Sequence, residues 1–337
     1  MRGNTGDGGP LIRVEDLVKE FRRTKQHEGR FGGLRTLFTR EYVTQRAVDG
    51  VSFSIDHGEL VGYLGANGAG KSTTIKMLTG ILVPTSGVVE VAGSVPWRDR
   101  ERNARNIGVV FGQRSQLWWD LPLIESLRLI GRLYEVDAAT YRAQLRRFTE
   151  LLDLGDFLHT PVRQLSLGQR MRGDLAAAML YEPRLLYLDE PTVGLDVIAK
   201  ERIRGFVEQL REAGDTTVIL TTHDLDDVER LCRRIVLIDH GKVLYDGDVE
   251  ALKTQYAPYR ELVVTLADEP ATAVSLPDID IVRREEQTLA VRIEAERGVA
   301  DAVAAILAVH RVSDFAIVEP ELEAVIREIY ADRTVRL

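Results

Sequence analysis

Residues Gly65 to Ser72 read Gly-Ala-Asn-Gly-Ala-Gly-Lys-Ser, the spacing G-x-x-x-x-G-K-[ST] of a phosphate-binding P-loop. Gly65, Gly68 and Gly70 carry no side chain to keep the backbone at a distance, so the successive N–H groups of Gly65, Ala66, Asn67, Gly68, Ala69 and Gly70 can surround an anion. Lys71 then reaches the β- and γ-phosphates, the Ser72 hydroxyl ligates Mg²⁺, and Thr73 lies in the same first helical turn, where the helix dipole favours negative charge. Further along, Asp189 closes an apolar run, where a carboxylate can hold Mg²⁺ beside Ser72, and Glu190 follows as a candidate base for an attacking water. Gln113 and His223 each end a further apolar run. Gln113 can ligate the metal or orient water, and His223 can hydrogen-bond the γ-phosphate. Singly, these are a surface glutamine, a capped histidine and solvated acids. Together they occupy the carboxyl ends of successive strands, the edge at which α/β sheets bind ligands.

The elements that must position these groups are legible in outline. Leu60 to Leu64 suits a buried parallel strand leading into the loop, and Thr73 to Thr79 a short helix stopped at Gly80. Val88–Val91, Ile107–Phe111, Arg184–Leu188, Thr216–Thr221, Ile235–Ile238 and Val243–Tyr245 read as strands. Residues 115–180 are mostly helical, with helices expected at Leu123–Tyr134 and Ala138–Leu152. The expected fold is α/β: a P-loop cassette with a parallel core sheet and an inserted helical subdomain. Upstream, residues 1–10 read as a glycine-rich tail, Leu11–Val14 and Asp16–Phe21 as short strand-like pieces, and Ala47–Ile55 as a strand. Between them, residues 22–46 carry seven Arg or Lys against two Glu, with Leu34, Leu37, Phe38 and Tyr42 at helical spacing. That pattern is a solvated basic helix packed on its own domain, or an interfacial helix touching anionic lipid.

After Lys253 the composition changes. Glu261–Leu266, Ile279–Arg284, Leu289–Ile293 and Val312–Val318 read as strands, and Val299–Val309 and Glu321–Tyr330 as helices. The reading is one large domain over 11–250 and a small C-terminal α+β domain over 258–337, of ferredoxin-like order, with no catalytic cluster.

The whole chain of 337 residues has 44 basic and 52 acidic side chains, a net charge of −8, which argues against a generic nucleic-acid binder. Cys232 is its single cysteine, so an intrachain disulfide and a cysteine zinc site are excluded, and its helical spacing from Val228 fits a packed core thiol. No run approaches the roughly 18 apolar residues of a membrane helix, and no apolar leader opens the chain. The expectation is a soluble, cytoplasmic protein whose membrane role runs through a partner.

A P-loop alone fits kinases, GTPases and motor ATPases. Leu165-Ser166-Leu167-Gly168-Gln169, at the start of a helix that Ser166 can cap, is close to the Leu-Ser-Gly-Gly-Gln signature of the ATP-binding-cassette ATPases, and Gly194-Leu195-Asp196 resembles that family's D-loop. The resemblance covers about Leu11 to Glu250. It implies ATP and Mg²⁺ as cofactors, Gln113 as the Q-loop glutamine, Asp189 as the magnesium aspartate, Glu190 as the base and His223 as the switch histidine. It also implies that Phe21 stacks on adenine, although the basic insertion follows it. Leu167 replaces the first signature glycine, with Ser166 and the Gly168 backbone still expected to touch the γ-phosphate. Ser166, Gly168, Gln169 and Asp196 would serve the ATP of a second copy or related chain in a head-to-tail pair. Family members receive a membrane subunit near the Q-loop, which points to Gln113–Pro122 and its adjacent Trp118 and Trp119 as a docking site for a separately encoded permease. The segment 111–122, the insertion and the C-terminal tail resemble bacterial drug-exporter ATPases, peripheral on the inner face of the membrane. A soluble cassette ATPase acting on ribosomes or nucleic acid is the alternative; the second cassette or long coiled coil such proteins carry does not occur. A GTPase would need an Asn-Lys-x-Asp motif, which is absent.

Overall fold

The computed structural model describes residues 9–24, 42–112, 114–257, 259–267, 280–294 and 299–335. The chain divides into two units, Met1–Asp246 and Gly247–Leu337.

In the first unit, β3 (Leu60–Gly65), β5 (Ile107–Phe111), β6 (Leu185–Asp189), β7 (Thr217–Thr221), β8 (Arg234–Asp239) and β9 (Lys242–Asp248) form one sheet in the order β5-β6-β7-β3-β8-β9. The pairs β5/β6, β6/β7, β3/β7 and β3/β8 are parallel. Every residue of β7, and Leu185 to Leu188 of β6, is buried, which is why these strands are continuous apolar runs rather than alternating ones. Because the strands are parallel, their carboxyl ends share one edge. The residues following β3, β6 and β7 therefore meet there.

Helix α1 (Lys71–Leu78) leaves the loop after β3, with Thr74, Ile75, Met77 and Leu78 buried. It ends as expected at Gly80, whose φ of 77° suits glycine and where a Cβ would stand 2.6 Å from the Pro96 carbonyl oxygen. A short helix α2 (Arg100–Asn106), capped by Asp99, was not apparent from periodicity. The inserted helical block holds α3 (Leu123–Leu133), α4 (Ala138–Leu151) and α5 (Leu167–Met179), close to the expected boundaries. Helices α6 (Val197–Ala213) and α7 (Leu225–Leu231) follow β6 and β7. Cys232 is buried as expected, but it is the extended residue after α7 rather than part of it, and its sulfur packs against Gly62 of β3. Burial pushes its thiol far above the ordinary range, so it is inert.

A separate antiparallel sheet, β2-β1-β4, is made by β1 (Ile12–Thr24), β2 (Tyr42–Ile55) and β4 (Ser86–Val91). Its inner residues Ile12, Val14, Val48 and Phe53 share one core with Ile75 and Leu78 of α1 and Tyr63 and Tyr187 of the parallel sheet. The expected basic helix over 22–46 needs correction at both ends. The β1/β2 ladder continues from Phe21↔Gln45 to Thr24↔Tyr42, so Arg22 to Thr24 and Tyr42 to Arg46 are strand. The antiparallel ladder satisfies these backbone groups, and charged side chains are tolerated on its open end: Arg46 bonds Glu20 across the pair at 2.9 Å. Residues 25–41, with Leu34, Leu37 and Phe38, lie outside the described residues. The two pieces read at 11–14 and 16–21 belong to one strand, interrupted by a bulge where Asp16 adopts φ 45°.

The second unit contains α8 (Val249–Tyr256), β10 (Tyr259–Leu266), β11 (Asp280–Glu285), β12 (Thr288–Glu294), α9 (Val299–Val309), β13 (Val312–Val318) and α10 (Leu322–Val335). The sheet order is β11-β12-β10-β13, all antiparallel. Counted along the chain the four strands run 4-1-3-2 from the β13 edge, the ferredoxin-like order. Leu262, Val264 and Leu266 alternate inward on β10 and pack with Val291, Ala302 and Ile306.

Candidate functional site

The loop between β3 and α1 is held by its glycines. A Cβ on Gly65 would strike the Ile238 carbonyl oxygen of β8, and one on Gly70 would stand 2.5 Å from the Ala47 carbonyl oxygen. Gly68 and Gly70 take φ of 85° and 110°, conformations that side chains resist. Ala66, Asn67 and Gly68 are exposed, whereas Ala69 is buried and its carbonyl accepts from the Gly241 N–H at 2.9 Å. The loop is thus anchored from behind and open in front, where it borders a cleft of about 530 Å³.

Ala66, Lys71, Ser72 and Thr73 line that cleft together with Asp189 and Glu190. Lys71 Nζ folds back on the loop and donates to the carbonyls of Gly65 at 2.5 Å and Ala66 at 3.2 Å. Burial lowers its pKa, while Glu190 and then Asp189 draw it up again. Asp189 ends β6 in register with Phe111 of β5 and Thr221 of β7. The Thr221 hydroxyl donates to Asp189 Oδ1 at 2.5 Å, which orients the carboxylate and leaves Oδ2 outside that bond. Glu190 takes the left-handed φ of 54°, unusual for a side-chain-bearing residue, and its N–H donates to the Thr221 carbonyl at 2.8 Å. His223 Nδ1 stands 3.3 Å from Glu190 Oε1. Gln113 lies outside the described residues. Its neighbour Gly112 donates to the Asp189 carbonyl at 2.8 Å and lines the cleft.

The remaining sequence-derived residues sit elsewhere. Ser166 caps α5 in a reciprocal box: Gln169 N–H donates to its hydroxyl at 3.2 Å, and Ser166 N–H donates to Gln169 Oε1 at 2.9 Å. Gly168 is buried against α6, where its Cβ would be 2.8 Å from that of Ala199, and Asp196 caps α6 by accepting from Ala199 N–H at 2.8 Å. None of Ser166, Gly168, Gln169 and Asp196 lines the cleft. Phe21, on β1 beneath the Lys19 ammonium, is likewise outside the lining. Trp118 and Trp119 are 42% and 53% exposed, so they do not fill a core. Arg170 lies over the Trp119 ring at 5.5 Å.

Four further polar residues, Thr221, Asp174, Thr192 and Asp227, bond within the first unit and belong to no sequence motif. Thr221 was within reach from the sequence, because it precedes His223 on the strand beside Asp189. Asp174, buried on α5, accepts from Ser115 Oγ and Gln116 N–H, each at 3.0 Å, and no local pattern marks it.

A glycine cradle, a lysine and paired acids at the carboxyl edge of a parallel sheet define a P-loop nucleoside-triphosphatase. The sequence pattern of the ABC transporter family matches residues 48–193. The daunorubicin resistance ATP-binding protein DrrA3 of Streptomyces coeruleorubidus is 37% identical over 238 residues, 70% of this chain and 75% of that protein. The Nod factor export ATP-binding protein I of Ralstonia nicotianae is 35% identical over 244 residues, covering 66% and 75%. A solved ATP-binding subunit of an ABC transporter superposes with a TM-score of 0.61 at 27% identity, covering 73% of this chain and 93% of the other. The chain belongs to the ABC transporter family as an ATP-binding subunit, an ATPase that powers a separate permease. Among the described residues no helix is long and apolar enough to cross a membrane.

Proposed function

We propose that the cleft between the P-loop and Glu190 hydrolyses Mg-ATP to drive an export permease, and that two such chains pair head to tail to do so. The observation that carries this reading is that Lys71, Ser72, Asp189 and Glu190 all line one cleft. Oxygen donors suit Mg²⁺, and the Ser72 hydroxyl and the Asp189 carboxylate both border the cleft, so this pair would hold the metal. The ion, when bound, neutralises charge on the β- and γ-phosphates. Lys71 exchanges its two carbonyl partners for phosphate oxygens. Glu190 takes the proton of the attacking water, and His223 supports the γ-phosphate from the next strand. The Gln113 side chain would orient that water.

The pairing is supported by the absence of Ser166, Gly168, Gln169 and Asp196 from the cleft lining: they serve ATP only if another chain presents them. Phe21 is proposed as the adenine contact. Two half-exposed tryptophans at Trp118 and Trp119 offer an anchoring surface for the permease, and the basic stretch 22–46 a contact with anionic lipid. Export is favoured by the relatives, among them a drug-resistance and a Nod factor export protein. The division of labour is proposed as an ATPase domain over 11–250 and an accessory domain over 258–337. Tagged full-length chain should bring a polytopic membrane protein out of mild detergent, and that complex should hydrolyse Mg-ATP. Recovery of ribosomes with no membrane protein contradicts the proposal.

A further inference from the structure

Outside the cleft lining, Thr192, Arg204 and Asp227 form a linked cluster centred on a buried carboxylate. Thr192 follows Glu190 by two residues, and its hydroxyl donates to Asp227 Oδ2 at 2.5 Å. Asp227 sits in the first turn of α7, four residues after His223, with its side chain only 1% exposed. Its other oxygen accepts from Arg204 Nε of α6 at 2.5 Å, and Arg204, itself 15% exposed, also bonds Glu201 at 2.9 Å. One turn earlier on α6, Lys200 bonds Asp224, the residue next to His223, at 2.8 Å. A single carboxylate therefore pins the loop leaving Glu190, the helix leaving that loop and the helix leaving His223.

On the cleft side, Glu190 is held in its left-handed conformation by the bond to the Thr221 carbonyl, and its carboxylate stands 3.3 Å from His223. Packing alone would not require this arrangement, since a buried ion pair is seldom more stabilising than an apolar filling of the same volume. What charge-assisted bonds to both carboxylate oxygens add is direction: they fix where Thr192 and α6 stand relative to α7.

We propose that Asp227 is a positioning residue for ATP hydrolysis, which by holding Thr192 and Arg204 sets the distance between Glu190 and His223. The proposal rests on the assignment of Glu190 as the base. Displacing a catalytic group by about 1 Å can cost on the order of a hundredfold in rate, whereas the phosphate-binding loop, anchored through Ile238 and Gly241, is untouched.

The test compares D227N, T192V, the double variant and E190Q as full chains, with Mg-ATP turnover, equilibrium binding of a fluorescent ATP analogue and thermal melting read on each. D227N should lower kcat by about tenfold to a hundredfold while analogue affinity stays within about twofold. T192V, which removes one hydroxyl at constant shape, should act in the same direction more weakly. The double variant should be no slower than D227N, because both substitutions break one link. Parental kcat in D227N and T192V beside an inactive E190Q overturns the proposal alone. Losses of kcat, affinity and melting temperature that run in parallel also overturn it, as the mark of general loosening. Full turnover by E190Q removes the base, and the proposal with it.

Discussion

Lys71 is bonded to its own loop, with a pKa lowered by burial and partly restored by Glu190 and Asp189. A triphosphate offers it stronger, charge-assisted partners at little reorganisation. K71A should therefore weaken ATP binding by at least about tenfold, the loss of roughly one such bond, in an equilibrium titration; unchanged affinity would show that the backbone cradle suffices. Asp174 gives a pH-dependent prediction. Burial pushes its carboxyl up to about 6, against the opposing pull of Gln116 N–H and the Ser115 hydroxyl. Between the ordinary carboxylate pKa of about 4 and that value, the folded chain holds a proton that the unfolded chain has released. The stability contributed by this group is thus fully present below the window and lost as pH rises through 6. D174N keeps an acceptor for both donors without the charge. Relative to the parent, it should gain up to about 3 kcal/mol between pH 4 and pH 7.5 in urea melts, whereas a constant difference would contradict the burial of a charged carboxylate.

At the scale of elements, packing decides what a substitution does. Gly168 on α5 and Gly205 on α6 are both helical glycines, but a Cβ at Gly168 would press to 2.8 Å on Ala199, whereas one at Gly205 meets nothing within 4 Å. G168A should destabilise the first unit by about 1–3 kcal/mol, and G205A should stabilise it by about 0.5–1 kcal/mol, both read as shifts in melting temperature. The same contrast explains what was legible in the sequence. Strands β6 and β7 are buried on both faces, so their apolar runs are unmistakable, and Ser166 with Gln169 announces the start of α5. The β1/β2 hairpin was misread at its ends because the bulge at Asp16 breaks the alternation and the strand ends carry exposed charge. The cleft lining was legible where residue type dictates chemistry, as at Lys71, Asp189 and Glu190. It was not legible where a side chain matters through a distant partner, as Thr192 does through Asp227.

At the scale of the molecule, Lys71, Ser72, Asp189 and Glu190 line one cleft, while Ser166, which caps α5, lies outside that lining. On the proposed reading, a second chain completes the hydrolytic site and a permease takes up the work. Replacing Trp118 and Trp119 together with Glu should lower permease recovery at least about tenfold at equal expression, as expected when interface aromatics are lost; unchanged recovery would place the docking surface elsewhere. The central claim is that Glu190 activates water beside a metal-bound triphosphate. It is tested most directly by single-turnover Mg-ATP hydrolysis in the transporter complex, parent against E190Q, with bound nucleotide measured in the same samples. The expected result is that E190Q holds ATP as well as the parent and cleaves it at least about a hundredfold more slowly. Cleavage by E190Q at the parental rate would contradict it.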